Sequence, residues 1–155
     1  MELMNEYSVD NLRDRLDGIL VSDCPADGLQ ELVDSGVLRE VLPEVWAQVG
    51  FDQDTPHHAL ELWEHTKKVV GLAPPEIDIR WAALLHDIGK PQARRKNSKG
   101  RSSYPQHAAI GVEMLPGIAA RFGWDAARAE RVRGLVAGHM SERSPLRVAD
   151  NLAKK

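Results

Sequence analysis

The spacing of apolar residues is the feature of this 155-residue chain that most constrains its fold. Apolar positions recur every three or four residues and not every two, and runs of β-branched residues are nearly absent. A period of three to four places apolar side chains on one face of a helix, whereas a half-buried strand needs a period of two. The sequence therefore predicts an all-α fold. The length suits one domain with a substantial core.

The residues between the apolar segments give the expected bounds of the helices. In the first part of the chain, we expect helices over residues 9–20, with Ser8 as N-cap, 26–34, 37–41 and 43–49. Residues 1–50 could thus form a small helical subdomain. Further helices are expected over residues 57–71, 75–86, 106–122, 125–139 and 145–154. No repeat or second domain is visible, so we expect a single domain over residues 1–155.

Residues 90–105 interrupt this helical pattern. The segment is polar and has no period, so the sequence predicts a long surface loop. Loops of this length in compact domains often have a function.

The composition of the chain excludes some classes of protein and favours one cellular compartment. The net charge of −3 gives no overall basic field of the kind that attracts nucleic acid. Cys24 is the only cysteine, which excludes an internal disulfide and a thiolate-rich zinc site and suits a reducing compartment. The acidic N-terminus has no apolar core of a signal peptide, and no apolar run approaches the roughly 20 residues of a membrane span. We therefore expect a cytoplasmic protein with no membrane partner.

Four predicted helices each carry one histidine at or near an apolar face: His65, His86, His107 and His139. Asp87 follows His86 directly. A helical bundle can direct side chains from separate helices to one interior point. A single buried histidine is most often an ordinary core residue, but four that converge without a metal would leave several buried nitrogens to satisfy. The mixture of imidazole and carboxylate suits Mn, Fe, Co, Ni, Zn or Mg.

Four segments carry a resemblance to a known family. "LWEHTKKVV", "WAALLHDIGKP", "YPQHAAIGVEML" and "LVAGHM", in this order, closely resemble the HD superfamily of metal-dependent phosphohydrolases. This resemblance covers residues 55–150 and implies an HD-domain bundle of about six to eight helices. "DSGVLREVLPEV" and "QDTPHHALELWEHT" resemble the lead-in to the HD domain of bacterial CCA-adding enzymes (tRNA nucleotidyltransferases). No Gly-Ser followed by an Asp-x-Asp strand is visible, so we expect an HD domain standing alone, without CCA-adding activity.

The resemblance implies a ligand set for one or two divalent ions. His65, His86, Asp87 and a distal aspartate, for which Asp150 is the candidate, would hold the first ion. His107 and His139 would complete a second site, and Asp87 could bridge both ions.

Other residues could contact a substrate. Lys90, three residues after Asp87, could bind a phosphate, although a solvated loop lysine is the alternative. His58 could lie at the mouth of the site and take part in catalysis with Asp87 and Lys90, or it could be an exposed residue at a helix start. A basic cluster could steer a nucleotide or an RNA end, or could simply be solvated: Arg94, Arg95 and Lys96.

Three functions remain open at this stage. The leading hypothesis is an enzyme that hydrolyses a phosphoester of a nucleotide or RNA end with a metal-activated water, as a phosphodiesterase or phosphatase that could act on 2′,3′-cyclic or 2′-phosphates. Hydrolysis of a nucleoside triphosphate or an alarmone is a rival within that class. The other two hypotheses are a non-catalytic RNA- or nucleotide-binding module that contains a metal, and a helical scaffold whose histidines are core residues.

Overall fold

The computed structural model describes residues 9–54, 61–141 and 143–154. Seven of the helices in these ranges have at least seven residues, so the expected all-α bundle is confirmed. In chain order the elements are α1 (Val9–Leu20), α2 (Pro25–Asp34), α3 (Val37–Val41), α4 (Pro43–Trp46), α5 (Leu62–Leu72), α6 (Ile77–Leu85), α7 (Lys90–Ala93), β1 (Arg95–Lys96), β2 (Ser102–Ser103), α8 (His107–Phe122), α9 (Ala126–Ala137) and α10 (Arg147–Ala153).

The observed helix bounds follow the predicted ones within a few residues. The exceptions have local causes. The helix predicted over 43–49 ends at Trp46, and the chain continues in turns, where the Gln48 amide donates to the Val45 carbonyl. Helix α5 begins at Leu62 and not at residue 57, because Glu61 is extended and its carboxylate caps the helix by accepting from the Glu64 amide at 3.1 Å. The predicted Ser8 cap lies outside the described ranges.

Helix α6 is the buried centre of the bundle. All its residues from Ile79 onward are buried, and it packs against α1, α5 and α9. Trp81 packs against the tilted ring of Phe122 and edge-to-face against Trp124, at centroid distances of 5.4 and 5.0 Å, while its indole N–H donates to Asp17 Oδ1 at 2.6 Å. This burial carries the end of α6, and with it the His-Asp pair that follows, into the interior.

The surface loop predicted over residues 90–105 contains regular secondary structure. The segment begins with α7 and continues as an antiparallel hairpin in which Arg95 pairs with Ser103 and Lys96 with Ser102. The Asn97 side chain closes the turn by accepting from the amides of Lys99 and Arg101, at 2.9 and 3.0 Å. Strands of two residues have no period that a sequence pattern can reveal.

Two helix contacts bring the C-terminal half onto the centre. Helix α10 packs against α5, and α7 packs against α8. Gly89 allows the second contact, because a Cβ atom there would lie 2.1 Å from the His107 carbonyl oxygen. One continuous apolar core extends from Leu12 to Ala153. The separate subdomain suggested for residues 1–50 stays a prediction. No described helix combines the length and the apolar character needed to cross a membrane.

Candidate metal centre

Five elements of the bundle deliver six potential metal ligands to one interior region. His65 lies in α5, His86 and Asp87 directly follow α6, and Asp150 lies in α10. The other two ligands are at helix ends: His107 is the first residue of α8, and His139 follows α9 by two residues. All six are buried except His107, which is partly buried.

The first group of ligands surrounds the space between α5, α6 and α10. It consists of His65, His86, Asp87 and Asp150, whose ligand atoms all lie within 4.8 Å of one another. His65 Nε2 is 2.9 Å from Asp150 Oδ1, and His86 Nε2 is 3.4 Å from the same oxygen. His86 Nε2 also lies 3.0 Å from Asp87 Oδ2. Two imidazoles and two carboxylates thus face one point.

The second group shares Asp87 with the first. Its other carboxylate oxygen, Oδ1, lies 3.2 Å from His107 Nε2 and 3.7 Å from His139 Nε2. The Nε2 atoms of these two histidines are 3.2 Å apart. Asp87 therefore directs one oxygen to each group, which is the arrangement a bridging carboxylate requires.

Three of the histidines are oriented by backbone carbonyls three residues earlier in the chain. The Nδ1 atoms of His86, His107 and His139 lie 2.6, 3.1 and 2.8 Å from the carbonyl oxygens of residues 83, 104 and 136. A carbonyl oxygen can only accept, so Nδ1 donates in each pair. When such a ring is neutral, its Nε2 atom carries no proton and has a free lone pair. Histidine binds a metal through a nitrogen of this kind.

Electrostatics of the site follow from two buried carboxylates. Burial lowers the pKa of His86, but the negative charges of Asp87 and Asp150 outweigh burial and raise this pKa to about 10. Burial raises the pKa of Asp87, yet the positive charges of His86 and Lys90 hold it well below its ordinary value. Burial raises the pKa of Asp150, but the hydrogen bond with His65 and the positive charge of His86 outweigh burial and hold this pKa below its ordinary value. The region attracts positive charge.

The buried atoms of the first group fit a divalent cation. His86 Nε2 and Asp87 Oδ2 are both buried without a well-formed hydrogen bond. Ligands bound about 2.1 Å from one ion lie about 3.0 to 3.4 Å from each other, and two pairs in this group, at 3.0 and 3.4 Å, have such distances. A mixture of nitrogen and oxygen donors suits the divalent metals expected from the sequence. His65, His86, Asp87 and Asp150 could hold one ion, and Asp87, His107 and His139 a second.

Comparison with known proteins decides the family. A profile of the HD domain matches residues 57–154. The chain belongs to the HD domain family. HD domains are typically metal-dependent and hydrolytic, and the two ligand groups lie within the matched residues. The resemblance noted in the sequence is thereby confirmed.

Two curated relatives of this HD domain are named as tRNA nucleotidyltransferases. The A-adding tRNA nucleotidyltransferase of Deinococcus radiodurans is 34% identical over 137 residues, which are 84% of this chain and 31% of the relative. The CC-adding tRNA nucleotidyltransferase of Thermus thermophilus is 36% identical over 148 residues, 89% of this chain and 34% of the relative. The chain spans about a third of the length of these relatives.

Lys90 of the HD domain is not a solvated lysine. It is 5% exposed, its ammonium donates to Gln53 Oε1 at 2.7 Å, and it lies 3.4 Å from Asp87 Oδ2. Its Nζ also lies 5.3 Å from the centroid of the Tyr104 ring. The ammonium is therefore held at the edge of the ligand groups. No sequence pattern predicts a role for Gln53, because that role depends on a contact with Lys90, which lies 37 residues away in the chain.

The basic cluster that follows Lys90 has a different placement. Arg94 stacks over the Phe51 ring at 4.0 Å and donates to the Tyr104 hydroxyl at 2.9 Å, so it ties the hairpin to the segment before α5. Arg95 and Lys96 are exposed on β1. None of the three is among the described residues that line the cavity beside the ligands. His58, the other predicted site residue, lies outside the described ranges.

A small cavity opens onto both ligand groups. Its volume is about 200 Å³, and its described lining is Asp87, Lys90, Tyr104, His107, Met140, Asp150 and Lys154. Sequence reasoning missed Met140 and Lys154. Lys154 did have a signal, because it follows Asp150 by four residues on a predicted helix and so shares its face.

Proposed function

We propose that this HD domain is a metal-dependent phosphohydrolase that cleaves a phosphoester of a nucleotide or RNA end. The observation that supports the proposal most strongly is Asp87, whose two carboxylate oxygens face two separate groups of imidazoles beside an open cavity with a lysine. A core histidine cluster in a scaffold has no need of a cavity at its edge, and a purely structural metal site is normally closed.

The side chains have separable roles in this proposal. A divalent cation held by these ligands would supply a water of lowered pKa as nucleophile and would polarise the phosphoryl group. The histidines leave that positive charge largely uncompensated, while Asp87 fixes the relative position of the two ligand groups. Lys90 contributes a positive charge that binds a phosphoryl oxygen and offsets the charge that develops during hydrolysis.

An RNA end is the substrate class that we favour. The supporting observation is that relatives which include this region are tRNA nucleotidyltransferases by name. Within this class we propose a 2′,3′-cyclic phosphate or a 2′-phosphate, because a small cavity suits a terminal phosphate. The cytoplasmic location expected from the sequence stays a prediction.

The test combines metal analysis with hydrolysis assays. We expect near-stoichiometric Mn, Ni or Co after reconstitution, and chelator-sensitive hydrolysis of bis-p-nitrophenyl phosphate, p-nitrophenyl phosphate or 2′,3′-cyclic AMP. His86→Ala and Asp87→Ala should each lower turnover by more than about 100-fold, since even the loss of an outer-shell partner costs about 10–100-fold. Asp14→Ala, which changes an exposed carboxylate of α1, is the control.

The possible results separate the hypotheses. Full activity in both ligand variants, with an intact circular dichroism spectrum, would show that the hydrolysis occurs elsewhere. Metal without turnover on the esters, a nucleoside triphosphate or an alarmone would support a binding module. No metal after reconstitution would leave the histidines as core residues.

A further inference from the structure

We propose that Lys154 is a substrate-binding residue that contacts the phosphoryl group of the substrate from the α10 side of the cavity. This inference rests on the proposed function, because it assigns a role within the same site. It concerns a residue at the C-terminal end of α10, whose side chain is 26% exposed and lines the cavity.

The position of Lys154 is defined by Asp150. One oxygen of that carboxylate, Oδ1, faces the histidines, at 2.9 Å from His65 and 3.4 Å from His86. The other oxygen, Oδ2, faces the Lys154 ammonium at 3.9 Å. The carboxylate therefore lies between the ligand group and the lysine. Lys154 is close to the candidate metal ligands, but the Asp150 carboxylate separates its ammonium from them.

The two lysines of the cavity differ in how firmly they are held. The Lys90 ammonium is 2.7 Å from Gln53 Oε1 and 3.4 Å from Asp87, in a buried setting. The Lys154 ammonium has a longer contact with Asp150 in a setting about a quarter exposed. Lys154 is therefore the more adaptable of the two positive charges, and it can reach toward a ligand at small cost.

A bound cation would strengthen this role. Asp150 directs its negative charge toward the ligand group, and a divalent ion there would neutralise that charge. The attraction between Asp150 and Lys154 would then fall, because Coulomb attraction scales with the charge that remains. An anion in the cavity becomes the preferred partner of the ammonium.

The size of the cavity indicates which part of a substrate Lys154 meets. Its volume of about 200 Å³ is below the range of roughly 300–1,000 Å³ that is common for sites enclosing a whole small molecule. The reacting phosphate must be inside, next to the ligand groups, so little room remains for more of the substrate. A lysine that lines this space lies close to the oxygens of a phosphoryl group bound beside the ligand groups.

The experiment uses the metal-loaded protein with inorganic phosphate as the binding probe. We measure phosphate binding by calorimetry, phosphate inhibition of ester hydrolysis, and metal content, in the wild type and in Lys154→Gln, Lys154→Arg and Lys68→Gln. Lys68 is a matched control, because it is an exposed lysine of α5 and is not among the described residues that line the cavity.

We expect Lys154→Gln to weaken phosphate binding and to raise KM roughly tenfold or more, as the loss of one charged hydrogen bond does. The kcat value and metal content should change by less than about threefold, and Lys154→Arg should retain most of the binding.

If Lys154→Gln and Lys68→Gln gave the same phosphate affinity and the same KM, this inference would be overturned. Hydrolysis by the wild type would still support the proposed function. A loss of metal instead of phosphate affinity would also overturn it, because Lys154 would then only support Asp150. If the wild type hydrolysed none of the esters, the proposed function would fail, and phosphate calorimetry would still decide the role of Lys154.

Discussion

The Nε2 atoms of His107 and His139 lie 3.2 Å apart, although the two residues come from different helices. In each ring Nδ1 donates to a backbone carbonyl, so neutral rings point two lone pairs at each other. Burial and the nearby positive charge of His86 lower the pKa of His139 to about 4, which keeps this ring neutral near pH 7. Such a contact needs a positive charge between the two nitrogens, and Asp87 Oδ1 lies beside both.

The two ligand groups predict that the protein binds two metal ions. If each ligand group holds one ion, His139→Ala should lower the metal content from about two ions per chain to about one, because the second group keeps only two of its three ligands. Elemental analysis after gel filtration measures this. Asp150→Ala is the reciprocal variant, which removes a ligand of the first group only. An unchanged metal content in His139→Ala would contradict a second site.

Gln53 should position Lys90 for its role in the site. Gln53→Ala would leave a buried ammonium without its 2.7 Å acceptor, and we expect a loss of about 1–3 kcal/mol in the free energy of unfolding. Turnover should fall roughly tenfold with unchanged metal content, because small displacements of a catalytic group are costly. Urea denaturation and steady-state kinetics measure the two effects.

A second buried glutamine provides the control for this variant. Gln48 accepts from the Thr66 hydroxyl at 2.6 Å and is not among the described residues that line the cavity. Gln48→Ala should destabilise the protein by a similar amount but leave turnover nearly unchanged. Equal turnover in the two variants would mean that Gln53 contributes to stability alone.

Gly89 should tolerate no side chain, whereas its neighbour in space, Gly111, should accept one. A Cβ atom at Gly89 would lie 2.1 Å from the His107 carbonyl oxygen and 2.7 Å from the Gly111 nitrogen, both of them backbone atoms. Gly89→Ala must therefore push α8 away, at about 1–3 kcal/mol or more, and should shift His107 from Asp87. Thermal unfolding and metal content report the two consequences.

The matched variant is Gly111→Ala. Its Cβ atom would meet its nearest neighbours at 3.5 Å, which is ordinary van der Waals contact. Because alanine also favours a helix interior over glycine, we expect stability to be unchanged or slightly higher. A similar loss in both variants would show that the close approach at Gly89 does not set the position of α8.

The pH dependence of stability should include a contribution from Glu44 and Arg121. The carboxylate accepts two hydrogen bonds of 2.8 Å from the guanidinium, which joins α4 to α8. Burial raises the pKa of Glu44, but the hydrogen bonds and charge of Arg121 outweigh burial and hold this pKa below its ordinary value of 4.5. A lowered pKa in the folded state means that the stabilisation is complete above about pH 4.5 and is lost as the pH falls through the folded-state value.

We therefore expect Glu44→Gln to lower the free energy of unfolding by about 1 kcal/mol at pH 7, and by less as the carboxylate becomes protonated in acid. Urea denaturation at pH 7 and pH 3.5 measures the difference. Glu130→Gln, which removes the fully exposed partner of Arg133, should have little effect at either pH. A loss of stability in Glu44→Gln that does not depend on pH would contradict the assigned charge pairing.

The sequence predicts the helices well because their apolar period is strong. The bounds of α1 and α3 coincide with the predicted ones, and α8 differs by one residue. The hairpin after α7 was missed because a single side chain, Asn97, closes its turn, and one polar residue in a polar segment gives no pattern.

The site shows the same limit of sequence reasoning. The six candidate ligands could be named from the sequence, and the structure brings them together in two groups. The burial of Lys90 could not be foreseen, since it depends on Gln53 from a distant segment. Arg94 was expected to face a substrate, but the position of its guanidinium follows from aromatic rings that meet only in the folded chain.

The carbonyls that hold His86, His107 and His139 all belong to residues three positions earlier in the chain. Each imidazole is thus oriented by its own stretch of backbone and does not depend on a particular outer side chain. The surrounding residues can diverge in sequence without changing which nitrogen faces the ligand point. Substitutions that leave the backbone at residues 83, 104 and 136 in place, whether they arise in evolution or at the hands of a protein engineer, should therefore preserve the same three nitrogens.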